Sequence, residues 1–400
     1  MTNGEEPSFR TRVRDWLAAN VPETDPQAPV PEMLKTAKRF QAALYDAGFA
    51  GITWPAEYGG GGLTAAEQQI FHEEAAAYDL PTGVFMISMG MCGPTLVDLG
   101  THEQKARYVP PLLRGEEVWC QLFSEPGAGS DVASLQTRAE RDGEGWVING
   151  QKVWTSGAQH ADYGALLART DPDQPKHKGL TMFIVDMHAP GVTVRPLRDM
   201  TGRAPFNEVY FDGVRLPADA VLGGVGGGWA AAVTMLGHER VSIGGSVRRR
   251  YDPLAYRNLV ALARELGRLD DPLVRAELAA LYAAERALSL FNARLRQEAD
   301  AGSPPGARGS VAKLSGAELL WRATRVAGLI AGMHAAAWDP ASTAGEELAV
   351  AINATPSSSI AGGTNQIQRN IIGDRILGLP REPAADRDIP FRHLRVGTQG

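Results

Sequence analysis

The sequence predicts an α+β chain in three parts: an N-terminal helical domain over 1–117, a middle β-barrel or sandwich domain over 118–228, and a C-terminal four-helix bundle with a tail over 229–400. Three observations predict it. Apolar residues recur at spacings of three and four in the first and last thirds. A period of two takes over between Val118 and Leu222. The glycine run GGVGGG, Gly223–Gly228, then marks a hinge before helical spacing returns at Trp229. At 400 residues and 44% hydrophobic content the chain can bury a large core in two or three domains.

The elements follow in order. Ser8–Ala19 sets Phe9, Val13, Trp16 and Leu17 on one face with arginines opposite, and Met33–Ala47 repeats the pattern. Trp54–Gly62, WPAEYGGGG, breaks it with proline and four glycines. Thr64 followed by Glu67 reads as a capping box for a helix over Ala65–Tyr78, and another helix covers His102–Leu113. In the middle third Asn149-Gly150, flanked by Trp146, Ile148 and Val153, reads as a hairpin turn. Strands follow at Gly164–Ala168, Thr181–Asp186, Val192–Pro196 and Glu208–Phe211. Helices return at Trp229–Ser246, Leu254–Leu266, Pro272–Ala299, Ser310–Ala336, Gly345–Ala351 and Gln366–Leu377, with short loops that suggest an antiparallel bundle.

Composition narrows the function. A net charge of −6 and a pI near 5.8, with no long basic block, argue against nucleic acid. Two cysteines, Cys92 and Cys120, give neither a disulfide framework nor metal spacing and fit a reducing cytoplasm. MTNGEEPSFR lacks a basic n-region leading into an apolar stretch, and no apolar run approaches the roughly 20 residues of a membrane span, so the expectation is a soluble cytoplasmic protein. The eight histidines form no H-E-x-x-H pair, and no metal site is expected. Ser310-Val311-Ala312-Lys313 fits S-x-x-K without its companion motifs, the short run Arg248-Arg249-Arg250 reads as a solvated or interface face, and the glycines after Leu222 do not form a dinucleotide fingerprint.

Two stretches carry chemistry. In Gln121–Asp131, QLFSEPGAGSD, a short apolar strand runs into Pro126, Gly127 and Gly129, so the backbone turns sharply and presents N–H groups beside Ser124 and Ser130. In Gln151–Gly157, QKVWTSG, Trp154 offers a stacking surface next to the hydroxyls of Thr155 and Ser156. With EPGAGSD, INGQKVWTSG, FDGVRLP over Phe211–Pro217, GGTNQIQR over Gly362–Arg369 and WPAEYGG, the chain resembles the acyl-CoA dehydrogenases along nearly its whole length. The resemblance implies an FAD whose flavin, ribityl or pyrophosphate borders Phe123, Ser124, Gly129 and Ser130, whose isoalloxazine is lined by Trp154, Thr155 and Ser156, and which meets Thr364 and Gln366 from the C-terminal segment. Ser130 and Arg240 match positions near the bound acyl-CoA.

The reaction so implied removes a proton from Cα and a hydride from Cβ of an acyl-CoA thioester, giving the trans-2-enoyl product and passing electrons to an electron-transfer flavoprotein. The sequence departs from the family pattern at two places. Many members carry the catalytic glutamate where Gly362 stands here, and the R-x-x-F-G and Q-x-x-G-G motifs that hold the adenine half of FAD across a subunit boundary are not found after Ser246. A subset of the family instead carries the base in a Glu-Arg pair on a bundle helix. Glu239-Arg240 in LGHERVSIGG matches that pair, with Met235, Leu236, Val241 and Ile243 supplying dry surroundings for a general base. The resemblance also implies a homo-oligomer, a dimer or a tetramer, or a hetero-oligomer with a homologous subunit. Two alternatives stand beside the dehydrogenase: an oxygen-using flavin oxidase or monooxygenase on the same fold, and a non-catalytic subunit of a hetero-oligomer.

Overall fold

The computed structural model of the chain describes residues 7–25, 28–245, 252–303, 306–337, 343–381, 383 and 386–394. The chain divides into two compact units, Met1–Asp199 with Ala204–Ser242 and Pro383–Gly400 in the first, and Met200–Arg203 with Ile243–Glu382 in the second. The first contains helices α1 (Phe9–Asn20), α2 (Val30–Asp46), α3 (Ala65–Ala75), α4 (Gly93–Leu99) and α5 (His102–Arg114), then the β-sheet, then most of α6 (Gly228–Gly245).

Local chemistry sets these helix ends. Ser8 caps α1 by accepting from the Thr11 N–H. Thr64 and Glu67 form the expected capping box at α3, and Thr101 with Gln104 forms a second at α5. Helix α4 and the π-turn Ser88–Cys92 before it escaped the sequence reading, because Gly90, Gly93 and Pro94 interrupt the apolar spacing.

The sheet has eight strands, β1 (Trp119–Leu122), β2 (Arg138–Asp142), β3 (Gly145–Ser156), β4 (Tyr163–Arg169), β5 (Leu180–Asp186), β6 (Val192–Leu197), β7 (Phe206–Leu216) and β8 (Val221–Leu222). Their order is β6-β7-β3-β2-β4-β5-β8, with β1 added parallel to β4. Strands β4 and β5 are buried on both faces, as their continuous apolar sequences require. Leu166 and Phe183 join a core with Ile148, Val209 and Phe211, while Leu167 and Met182 join one with Leu96, Leu112 and Met235 from α4, α5 and α6.

Asn149-Gly150 is not a turn. It lies inside β3 at a register shift against β7, where Gly150 has φ 153° and an added Cβ would meet the Thr137 side chain at 2.4 Å. The hairpin turns at Gly143-Glu144, between the Asp142 and Gly145 pair, where Gly143 takes φ 57°. Glycine at the first of the two loop positions is a turn signal in its own right, and here the register against β2 selects it.

The second unit is helical: α7 (Tyr256–Glu265), α8 (Pro272–Asp300), α9 (Arg308–Ala331), α10 (Thr343–Ser358) and α11 (Asn365–Arg375). Helix α9 packs against the other four, with Val326, Ala327 and Ile330 meeting Leu259, Val274, Leu278 and Leu281. Among the described residues no helix is long and apolar enough to cross a membrane, and no group of His, Cys, Asp and Glu could hold a metal ion. Cys92 and Cys120 are free and buried, and burial pushes both thiols above their ordinary pKa.

Candidate functional site

The two chemistry-bearing stretches meet in the first unit. Strand β1 ends at Leu122, and the chain turns tightly through Pro126-Gly127, closed by reciprocal 3.0 Å bonds between the backbones of Glu125 and Ala128. The Val153 N–H donates to the Ser124 carbonyl at 2.9 Å, seaming β3 to this loop. Beneath the seam the fully buried Lys152 ammonium donates to the Phe123 carbonyl and to Glu125 Oε1, both at 2.9 Å. Glu125 also accepts from the N–H groups of Gln136 (2.7 Å) and Thr137 (2.8 Å). Burial pulls the Lys152 pKa down to about 8, against the opposing pull of Glu125. Glu125 settles below its ordinary value: burial pushes it up, but Lys152 and the N–H donors outweigh that push.

After Lys152 the pairing with β7 shifts before resuming at Thr155, and Trp154 sits in the gap with φ 60°, alone in positive φ among the described non-glycine residues. The shift turns the indole outward. It is 56% exposed and rests edge-on against Phe206 at 5.7 Å between ring centroids. The next residue is held in place, since the Asn207 amide donates to the Thr155 carbonyl at 3.1 Å and also bonds Gln159. The Thr155 hydroxyl is buried yet has no hydrogen-bond partner among the described residues. A buried hydroxyl without a partner costs about 1–3 kcal/mol. Beside the Pro126-Gly127 turn a cavity of about 250 Å³ is lined by Ser134, Thr137 and Gln151 among others.

The structure therefore brings Phe123, Ser124, Gly129, Ser130, Trp154, Thr155 and Ser156 onto one part of the sheet unit. Phe123 and Thr155 are buried, Ser124 and Ser156 half-buried, and Gly129 and Ser130 exposed. A planar aromatic cofactor fits these residues: an open indole, exposed glycine and serine backbone, and a hydroxyl in want of a partner. Glu239, also in the first unit, is buried on α6 one turn beyond the fully buried Met235. Its neighbour His238 is engaged by Asp98 at 2.8 Å. The side chain of Arg240, and Arg248–Arg250 altogether, lie outside the described residues. Thr364 and Gln366 stand in the second unit, where Thr364 caps α11 through the Ile367 N–H and Gln366 is exposed. Gly362 takes φ 65°, and its carbonyl accepts from the Gln368 amide at 2.7 Å.

Sequence reasoning missed Lys152 and Glu125. The available signal was a lysine in step with Trp146 and Ile148 on the inward side of a strand.

Comparison with known proteins adds the family. The acyl-CoA dehydrogenase N-terminal, middle and C-terminal domain models match residues 3–116, 120–214 and 226–377. Acyl-CoA dehydrogenase IpdE1 of Mycobacterium tuberculosis is 39% identical over 94% of this chain and 98% of its own length. Acyl-CoA dehydrogenase FadE34 of the same organism is 41% identical over 92% of this chain, which spans about half (49%) of that protein. Among solved structures, the Tcur3481-Tcur3483 steroid ACAD superposes with TM-score 0.78 at 32% identity, covering 95% of this chain and 100% of that one. The ChsE4-ChsE5 complex of M. tuberculosis does so with TM-score 0.73 at 30% identity, covering 96% and 100%. The chain belongs to the acyl-CoA dehydrogenases, a family of oxidoreductases.

Proposed function

We propose that the chain binds FAD on the Phe123–Ser130 and Trp154–Ser156 surface and catalyses α,β-dehydrogenation of an acyl-CoA thioester, with Glu239 as the base. The observation that carries the reading is the outward-turned Trp154 beside the unpartnered Thr155 hydroxyl. A backbone strained at one indole is the kind of feature found at ligand clamps. The flavin, when bound, supplies the hydride acceptor. The chain's own task is the proton, because a thioester α-carbon is a very weak acid. Glu239 takes it from Cα in apolar surroundings that include Met235. Hydrogen-bond donors at the thioester oxygen stabilise the developing negative charge. Thr364 and Gln366 are further candidate FAD contacts, Ser130 and Arg240 bind the acyl-CoA, and an electron-transfer flavoprotein takes the electrons.

The steroid ACAD among the similar structures favours a CoA thioester with a steroid-derived acyl group. That structure and the ChsE4-ChsE5 complex are both named for two proteins, which favours a hetero-oligomer with a homologous subunit. Gly362, where many members carry the glutamate, supports a second reading in which this chain completes a partner's active site. Anaerobic mixing of the yellow protein with straight-chain, branched and steroid acyl-CoAs tests both. The dehydrogenase reading expects flavin bleaching that Glu239→Gln slows by about 10²–10⁴-fold while the protein stays yellow. Bleaching at the wild-type rate in Glu239→Gln refutes the base. Bleaching only after a homologous subunit is added supports the second reading.

A further inference from the structure

The last carboxylate of the QLFSEPGAGSD loop is gripped by a lysine that also grips the C-terminal tail. Lys176 Nζ lies 2.8 Å from Asp131 Oδ2 and 3.4 Å from Asp386 Oδ2. Asp131 accepts in addition from the Ser134 hydroxyl, which fixes the far end of the loop. Arg169, at the end of β4 and 4% exposed, donates to the Lys176 carbonyl at 2.7 Å and to the Ala133 carbonyl at 2.5 Å. The Phe391 ring covers its guanidinium at 3.6 Å. No carboxylate hydrogen-bonds to Arg169 among the described residues, and the Phe391 ring joins the backbone carbonyls and the nearby carboxylates Glu125, Asp131 and Asp171 in compensating a charge drawn out of water.

The tail is laid down by backbone as well as side chain. The Phe391 N–H donates to the Gln174 carbonyl at 2.9 Å, the Arg392 N–H donates to the Pro172 carbonyl at 3.0 Å, Pro175 and Pro390 form a β-bridge, and Arg392 pairs with Asp173. Residues 386–394 thus hold the 171–178 loop, which Lys176 and Arg169 in turn connect to Ala133 and Asp131.

We propose that residues 386–394 form a strap, and that Phe391, Arg169 and Lys176 are positioning residues holding the Ser124–Ser134 loop ready for flavin and acyl-CoA. The proposal rests on the flavin-binding reading above, and it uses a segment beyond the C-terminal family match, which ends at residue 377. The loop needs such a device. Gly127, Gly129, Ser130 and Asp131 are exposed, so little packing limits their backbone, and ordering a glycine-rich loop at the moment of binding would cost affinity. A strap that orders the loop beforehand acts on binding and leaves the chemical step alone.

The test uses the full-length protein with Phe391→Ala, Phe391→Tyr, Lys176→Met and Lys176→Arg, reading hydrogen exchange at amides 127–134 beside KM and kcat for the acyl-CoA that reduces the flavin. Phe391→Ala is expected to speed exchange across 127–134 by about tenfold, equivalent to about 1.4 kcal/mol, and to raise KM similarly with kcat within about twofold. Phe391→Tyr, which keeps the ring, restores both. Unchanged exchange at 127–134 while the amides of Phe391 and Arg392 exchange freely overturns the strap, as does a fall in kcat at constant KM. Should Phe391→Ala fail to fold, Lys176→Met against Lys176→Arg decides by the same readouts. If no acyl-CoA reduces the wild-type flavin, the dehydrogenase reading fails, and the exchange experiment still judges the strap.

Discussion

Replacing Lys152 with methionine removes the ammonium beneath the seam between β3 and the Phe123–Ser130 loop, and the cost follows from what that ammonium touches. Methionine keeps most of the length and the apolar stem, so packing changes little. What is lost is the counter-charge of Glu125, 9% exposed, and the donor to the Phe123 carbonyl. Breaking a buried ion pair by removing one partner costs about 3–5 kcal/mol. Glu125 keeps its two backbone donors at 2.7 and 2.8 Å, which places the expected loss at the lower end, about 3 kcal/mol. Equilibrium urea unfolding followed by tryptophan fluorescence measures it, and dialysis measures whether the variant still retains its yellow colour. Lys152→Met/Glu125→Gln should be more stable than Lys152→Met, since a neutral pair no longer leaves a charge buried alone. A loss below about 1 kcal/mol, or a double variant no better than the single one, refutes the brace.

Two further outcomes follow from the same residues. On the proposed function, Trp154→Ala should release FAD or shift its absorbance spectrum with little change in apo-protein stability, because the indole is 56% exposed; an unchanged spectrum with normal affinity removes Trp154 from the proposed flavin surface. Glu125 has a native pKa below the ordinary 4.5, so its contribution to stability is complete above about pH 4.5 and is lost as pH falls through the native value. Acid titration of flavin release should show this loss, and Glu125→Gln should flatten that part of the curve; an identical acid limb in the variant sinks the attribution.

What was legible in the sequence was local. A helix end such as Thr64 with Glu67 is specified within four residues, and the apolar runs of β4 and β5 announce burial on both faces by themselves. The strap could not be read this way, because Phe391 and Arg169 are joined by folding alone and neither belongs to a periodic pattern. Reading Asn149-Gly150 as the hairpin turn failed for a related reason. The dipeptide satisfies the local rule, but pairing with β2 puts the turn at Gly143-Glu144.

Strand β3 shows why the site itself was half legible. Strict alternation puts Trp146, Ile148, Lys152 and Trp154 on one face, so a reader counting by twos buries Trp154 and finds a lysine pointing inward. The lysine is indeed inside, and it stays there because Glu125 and the Phe123 carbonyl receive it. The tryptophan is outside because the register slips between Lys152 and Thr155. Left-handed backbone costs an L-residue about 1–2 kcal/mol, and a bulky side chain rarely adopts it. Such a conformation persists only where its neighbours leave no alternative. Here Lys152 is anchored on one side and Thr155 is held by Asn207 on the other, so Trp154 cannot relax into the strand without breaking one of these attachments. The brace and the exposed indole are therefore a single feature: loosening Lys152 should let Trp154 fall back into register, and the proposed flavin surface should disappear before the sheet does.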